Sequence, residues 1–135
     1  MIGIVIVAHG HLAREYLAAV EHVVGEQPGI RAIGIEADCD RPAKQSEICV
    51  AADEVDAGNG VVIVTDMFGG SPSNLSIRAC QPENRRILYG ANLPMLIKLA
   101  KSRGLPLGDA VRNALEAGRK YIDSQNISAD EARHV

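Results

Sequence analysis

The sequence of 135 residues has few aromatic side chains, with three Tyr, one Phe and no Trp. Proteins that bind single-stranded nucleic acids stack bases on aromatic rings, so this deficit disfavours that class. Positive charge is not in excess either, since 14 Lys and Arg face 17 Asp and Glu for a formal net charge of −3. A basic nucleic-acid-binding face is therefore not expected. The core must be aliphatic, which is typical of buried parallel strands rich in Val and Ile.

Cysteine is also scarce, and Cys39, Cys49 and Cys80 include no C-x-x-C pair. An odd number without such a pair predicts neither a disulfide framework nor a zinc site, and it indicates reduced thiols. The first apolar run, residues 2–8, is too short to cross a membrane. No basic segment precedes it, as one would in a secretory signal peptide. We therefore expect a cytoplasmic protein without a membrane span.

Segments rich in Val and Ile alternate with segments of helical periodicity along the chain. Strands are expected at residues 2–8, 30–36, 61–66 and 86–91. Helices are expected from residue 12, around 48–55, over about 72–80, after Pro94 and from about residue 107, with a loop at 38–42. This alternation predicts an α/β fold with a mostly parallel sheet, and the length suits one domain over residues 1–135. In such sheets ligands bind outside the carboxyl ends of the strands, where polar residues are the site candidates.

Two such polar residues, His9 and Asp66, directly follow the apolar runs of the first and third predicted strands. In a sheet of order 2-1-3-4 these strands are neighbours, so the two side chains would lie side by side. A carboxylate bonded to one ring nitrogen of a histidine fixes the tautomer and leaves the other nitrogen nucleophilic. Taken singly, His9 could merely end a strand and Asp66 could cap a turn. Their shared position favours a His9 nucleophile oriented by Asp66.

A glycine-rich segment, GGSPSN at residues 69–74, follows Asp66 closely. Ser71-Pro72 is typical of a helix start, with the serine as the capping residue. Such a start directs free N–H groups toward an anion, and the Ser71 hydroxyl can add a hydrogen bond. We predict a phosphate site at Gly69, Gly70 and Ser71, with an ordinary capped turn as the alternative. The segment is not a Walker A loop, and no G-x-G-x-x-G follows the first strand, which disfavours dinucleotide binding.

Together these residues form a nucleophile, an orienting carboxylate and donors for a phosphate. No second acid or base for hydrolysing a substrate is evident, which favours a protein that is phosphorylated on His9 and passes the group on. His9, His11 and Asp66 could in principle bind a metal, but their spacing is not diagnostic, and neither a metal nor another cofactor is expected. Arg85 and Arg86 are expected at a solvated strand end and not as a phosphate clamp.

Three motifs occur in a fixed order: AHG at residues 8–10, VTDMFGGSPSN at 64–74 and GANLPM at 90–95. In order and spacing they resemble the IIA component of the mannose-type bacterial phosphotransferase system, over about the first hundred residues. A strand that ends in His-Gly is weak evidence by itself. The D-x-x-G-G-S-P-x-N and N-L-P-M motifs are specific.

The resemblance implies a parallel sheet of order 2-1-3-4, helices on both faces, and a homodimer that exchanges a C-terminal antiparallel strand. It also implies a phosphotransferase component in which His9 accepts a phosphoryl group from the phosphocarrier protein HPr. HPr obtains that group from phosphoenolpyruvate through enzyme I. Asp66 would hydrogen-bond one nitrogen of His9, and Ser71 would help to hold the phosphoryl group. The group would then pass to a IIB protein for sugar uptake.

Some relatives carry IIA and IIB in one chain, whereas this sequence stops near the end of a IIA domain. We therefore expect IIB to be a separate chain. The alternative functions are a stand-alone regulatory IIA protein, whose phosphorylation state controls partner proteins, and a flavodoxin-like binder of a small ligand. The tail after Gln125 is weakly patterned. Residues 126–129 are expected to supply the exchanged strand, and His134 is expected to be solvated or packed.

Overall fold

The computed structural model describes residues 1–129, in which strands and helices alternate. The strands are β1 (Gly3–His9), β2 (Ile30–Ile35), β3 (Val61–Thr65) and β4 (Arg85–Leu88). The helices are α1 (Leu12–Val24), α2 (Arg41–Val55), α3 (Ser71–Ser76), α4 (Leu93–Lys101) and α5 (Leu107–Lys120), and a 3-10 turn at Ile77–Cys80 continues α3. The described strands pair in parallel in the order β2-β1-β3-β4, which confirms the predicted sheet.

The core lies on both faces of the sheet, because side chains of a strand alternate between its faces. In β1, Ile4 and Ile6 pack with α1, α4 and α5, while Val5 and Val7 pack with α2 and α3. All four side chains are at most 2% exposed. Helices therefore cover both faces, as predicted, and the carboxyl ends of β1 and β3 are held at one edge of a rigid layer.

Two boundaries differ from the predictions for local reasons. Strand β4 ends at Leu88 because Gly90, with φ of 76°, turns the chain in a conformation that favours glycine. The predicted loop at 38–42 is wrong at its end, since α2 already begins at Arg41. The Asp40 side chain caps this helix by accepting a hydrogen bond from the Ala43 N–H at 3.2 Å. The first half of α2 carries no apolar stripe, so periodicity located only its second half.

The expectation that Arg85 lies at a solvated strand end is also wrong, since Arg85 is 8% exposed. Its guanidinium donates to the Ala79 carbonyl at 3.0 Å and to the carboxylates of Asp53 and Asp56 at 2.8 and 3.3 Å. Arg85 thus ties β4 to the end of α2, because a buried guanidinium must find acceptors. Arg86 is exposed. Neither arginine lines the cavity that contains His9.

The end of the chain contributes no further strand to the sheet within the described residues. Residues 122–128 form neither helix nor strand, and Ile122 and Ile127 are exposed there. The exchanged strand requires a second copy of the chain and stays a prediction. His134 and the expectation attached to it lie outside the described residues. Within residues 1–129, no helix is both long and apolar enough to cross a membrane.

Candidate functional site

The structure brings His9 and Asp66 into direct contact at the carboxyl edge of the sheet. His9 is the last residue of β1, and Asp66 follows β3, whose Thr65 pairs with Val7. His9 Nδ1 lies 2.7 Å from Asp66 Oδ2, and the His9 backbone N–H donates to the same oxygen at 3.0 Å. The parallel register of β1 and β3 therefore produces the juxtaposition that the sequence predicted.

The contact with Asp66 determines which ring nitrogen of His9 carries the proton. A carboxylate accepts hydrogen bonds, so Nδ1 holds the proton and Nε2 keeps its lone pair. Nε2 has no hydrogen-bond partner among residues 1–129, and the His9 side chain is 50% exposed. The arrangement can thus present an oriented, accessible nitrogen nucleophile.

The surroundings of Asp66 leave His9 as its hydrogen-bond partner in the described part of the chain. The Asp66 side chain is 11% exposed. Within residues 1–129 its only donors are the two N–H groups of His9, and Oδ1 is buried without a partner. Tyr16 lies nearby and donates its hydroxyl to the Ala91 carbonyl at 3.0 Å. Burial, and secondarily the charge of Asp66, raise the pKa of Tyr16. Tyr16 therefore stays neutral, and its hydroxyl does not compete with His9 for hydrogen bonding to Asp66.

The glycine-rich loop closes over the His9 ring. Gly69 and Gly70 have φ of 77° and 82°, conformations that side chains rarely adopt. A Cβ added to Gly70 would lie 3.7 Å from both Nε2 and Cε1 of His9, so the loop backbone passes beside the reactive nitrogen. Of the predicted phosphate-binding glycines, Gly70 is therefore adjacent to His9, whereas a Cβ added to Gly69 would meet no atom of residues 1–129 within 4 Å.

Ser71 also lies at the site, but it does not cap the helix as expected. Gly70 occupies the capping position without a side-chain hydrogen bond, and Ser71 is the first residue of α3. The Ser71 Oγ accepts a hydrogen bond from Arg41 Nη1 at 2.8 Å. The positive φ of Gly70 moves the helix start by one residue and leaves the Ser71 hydroxyl at the pocket beside His9.

Arg41 is the site residue that sequence reasoning missed. It lines a cavity of about 340 Å³ together with His9 and Ser71. Glu36 and Cys39 lie in the same wall, and all three cysteines of the chain are free thiols. The feature of the sequence that could have indicated Arg41 is its position soon after β2. Strand β2 is a neighbour of β1 and ends at the same edge of the sheet.

His11 does not join the site in the described part of the chain. It precedes α1 without a side-chain capping bond and lines a different cavity, with Arg14 and Lys44. No group of three or more His, Cys, Asp or Glu side chains within residues 1–129 is arranged to hold a metal ion.

Comparison with known proteins points to one family. A family model, EIIA-man, described as "PTS system fructose IIA component", matches residues 3–116. The mannose-specific EIIAB component of Escherichia coli K12 is 29% identical over 129 residues, which cover 90% of this chain and 38% of that protein. This chain thus spans less than two fifths of that relative. The sorbose-specific EIIA component of Lacticaseibacillus casei is 31% identical over 98 residues, covering 72% of this chain and 70% of that protein.

Solved structures show the same architecture. A phosphotransferase system component EIIA from Streptococcus agalactiae has a TM-score of 0.76 at 26% identity, covering 92% of this chain and 97% of that one. The mannose/sorbose-specific IIA subunit from Enterococcus faecalis has a TM-score of 0.81 at 23% identity, covering 93% and 96%, and supports the fold. The family match extends over most of the chain, so the chain belongs to the EIIA-man family of phosphotransferase system IIA components.

Proposed function

We propose that the chain is a phosphohistidine carrier in which His9 accepts a phosphoryl group from phospho-HPr and passes it to a IIB component. The observation that carries the proposal is the 2.7 Å contact between His9 Nδ1 and Asp66, which leaves Nε2 without a partner among residues 1–129 in a cavity that Arg41 and Ser71 also line. Relatives named as mannose- and sorbose-specific phosphotransferase components support a role in sugar uptake.

The chemistry requires little more than orientation of the ring. The Nε2 lone pair attacks phosphorus, the bond between phosphorus and the donor side chain of HPr breaks, and its electron pair returns to the donor atom. The His9 ring gains positive charge as the new Nε2–P bond forms, while its proton stays on Nδ1. The Asp66 carboxylate beside that proton stabilises the charge, as in other histidine–carboxylate pairs. A nucleophilic side chain of IIB then takes the group by the same displacement.

The phosphoryl oxygens carry the remaining charge, and this part of catalysis is electrostatic. We assign their stabilisation to the Ser71 hydroxyl and to the backbone of Gly69 and Gly70, of which Gly70 lies beside the ring. The positive Arg41 and the negative Glu36 both line this cavity, so their charges oppose each other there. The site suits a group that is held briefly and then passed on.

The surface beside His9 suits docking of partner proteins. Phe68, in the loop that contains Gly69, is 77% exposed, and Met67 is also exposed. The Phe68 ring packs edge-to-face on Tyr89, with centroids 4.9 Å apart, so it is held outward. Exposed aromatic side chains are enriched at protein interfaces. We assign contact with HPr and IIB to this apolar rim.

Phosphoryl transfer measured by intact mass tests the proposal. The chain is incubated with phosphoenolpyruvate, enzyme I and HPr, in parallel with a His9→Gln variant and a His22→Gln control, whose histidine lies in α1. The proposal predicts an acid-labile mass increase of one phosphoryl group in the parent and in the control, and none in His9→Gln. Absence of transfer to a folded parent chain with active partners, or transfer to His9→Gln, would refute it.

The proposal also includes the cellular setting. Its phosphoryl donors work in the cytoplasm, so we place the chain there, and the family resemblance supports a homodimer. Sedimentation of the full chain tests the second statement. A dimer that dissociates when residues 126–135 are removed is expected, and a monomer at all concentrations would contradict it.

A further inference from the structure

The hydrogen bond between Arg41 and Ser71 joins two elements that are distant in the sequence. Arg41 is the first residue of α2, Ser71 is the first residue of α3, and Nη1 lies 2.8 Å from Oγ. Both residues line the cavity that contains His9. The contact therefore lies in the cavity that a phosphoryl group on Nε2 would enter.

The direction of this hydrogen bond is fixed by the chemistry of its two groups. A guanidinium has only donors, whereas a hydroxyl has one proton and two acceptor lone pairs. The Ser71 oxygen must therefore accept, and its own proton cannot point at Arg41. Within residues 1–129 Ser71 donates no side-chain hydrogen bond. Its proton is thus available to a group in the pocket.

The charge of Arg41 is available as well. Arg31, Arg85 and Arg112 each pair with a carboxylate, whereas Arg41 makes no ion pair in the described part of the chain. Glu36 lines the same cavity without pairing with it. A hydroxyl that accepts a hydrogen bond from a cation becomes a stronger donor, because hydrogen bonds in a chain polarise one another.

We propose that Arg41 is a positioning residue for phosphoryl transfer: by donating to Ser71 Oγ, it directs the Ser71 hydroxyl proton toward the phosphoryl group on His9. The inference rests on the proposed function, because it needs a phosphoryl group on Nε2. Arg41 then stabilises the phosphorylated chain through Ser71. Removal of Ser71 must therefore also remove most of the effect of Arg41.

The equilibrium between phospho-HPr and the chain tests this role. The constant for phospho-HPr plus chain giving HPr plus phosphorylated chain depends only on the free proteins, so it is insensitive to how well HPr docks. Fractions phosphorylated are read by intact mass at several ratios of HPr to chain. The variants are Arg41→Ala, Ser71→Ala, the double variant, and Arg112→Ala as an exposed arginine control on α5.

We expect each single variant at the site to lower the constant about tenfold, the value of one hydrogen bond to a charged group. The double variant should match Ser71→Ala within about twofold, since coupled residues are not additive. Arg112→Ala should behave as the parent. Arg41 is exposed, and thermal unfolding of Arg41→Ala should be unchanged.

Two results overturn the inference while leaving the carrier function intact. One is a parent chain that is phosphorylated on His9 with an Arg41→Ala constant equal to that of the parent. The other is a double variant whose loss is the product of the two single losses, which would mean that Arg41 acts independently of Ser71. A parent chain that takes no phosphoryl group overturns the proposed function itself, and the inference with it.

Discussion

Replacement of Asp66 by Asn tests the charge of the group that holds His9. Asn keeps the shape and an oxygen acceptor for the two N–H groups that Asp66 now accepts at 2.7 and 3.0 Å. What it removes is the negative charge beside a ring that becomes positive when Nε2 binds phosphorus. The parent and the Asp66→Asn variant should therefore differ more in the phosphorylated state than in the free state.

The size of the effect follows from distance and burial. Two unit charges about 4 Å apart interact by about 4 kcal/mol at an effective dielectric constant of about 20. The Asp66 side chain is 11% exposed but that of His9 is 50% exposed, so solvent screens part of this interaction. We take half, about 2 kcal/mol, which lowers the phosphorylation equilibrium constant about 30-fold.

The assay is the exchange equilibrium with phospho-HPr, read by intact mass, with Asp109→Asn as the control. Asp109 is an exposed carboxylate on α5 that pairs with Arg112 at 3.1 Å. Its replacement by Asn removes the same charge at a position away from the site. Nitrogen NMR of the His9 ring checks that the geometry is kept, since both the parent and the variant should show protonated Nδ1. An equilibrium constant within twofold of the parent, with an unchanged tautomer, would refute the reasoning.

Three further predictions concern docking and stability. Phe68→Ala should slow transfer from phospho-HPr several-fold in rapid-quench experiments without changing the equilibrium constant, because we assign the exposed ring to contact with the partner and not with the phosphoryl group. Arg85→Ala should lower the free energy of unfolding in urea by about 2 kcal/mol, because it removes the buried donor that serves the Ala79 carbonyl and the half-buried Asp56 carboxylate. The Gly58 N–H, opposed by burial, holds the pKa of Asp56 below its usual range. The stabilisation that the Asp56 carboxylate contributes is therefore fully present above its unfolded pKa of about 3.9, and it is lost as pH falls through the lower folded pKa. The difference in free energy of unfolding between the parent and Asp56→Asn should shrink below about pH 4.

Each of these has a clear contrary result. A Phe68→Ala variant that changes the equilibrium constant would place the ring at the phosphoryl group. An Arg85→Ala variant within about 0.5 kcal/mol of the parent would mean that its ion pairs are screened, as at a surface. A stability difference between the parent and Asp56→Asn that stays constant from neutral pH to about pH 2 would contradict the lowered pKa.

The sheet and the His9–Asp66 pair could be predicted because both follow from simple rules. Apolar runs of Val and Ile located β1 and β3, and the carboxyl edge of a parallel sheet located the polar residues. The order of the strands came from the family resemblance, since spacing alone does not fix which strands are neighbours. Once β1 and β3 are adjacent, His9 and Asp66 have to meet.

Residues whose role depends on tertiary contacts could not be found in this way. Arg41 begins a helix whose first half has no apolar stripe, so the sequence pattern there indicates a loop. Ser71 has the composition of a helix cap, but the positive φ of Gly70 shifts the helix start. Arg85 is buried because α2 supplies acidic partners, which the sequence around it does not indicate.

The most direct test of the central claim is to identify the atom that carries the phosphoryl group. Phosphorus and nitrogen NMR of the ¹⁵N-histidine-labelled chain, after phosphorylation through enzyme I and HPr, distinguishes the two ring nitrogens. Because Asp66 occupies Nδ1, the account predicts a single phosphorus–nitrogen coupling to Nε2 of His9. A phosphoryl group on Nδ1, on another residue or on none would contradict it.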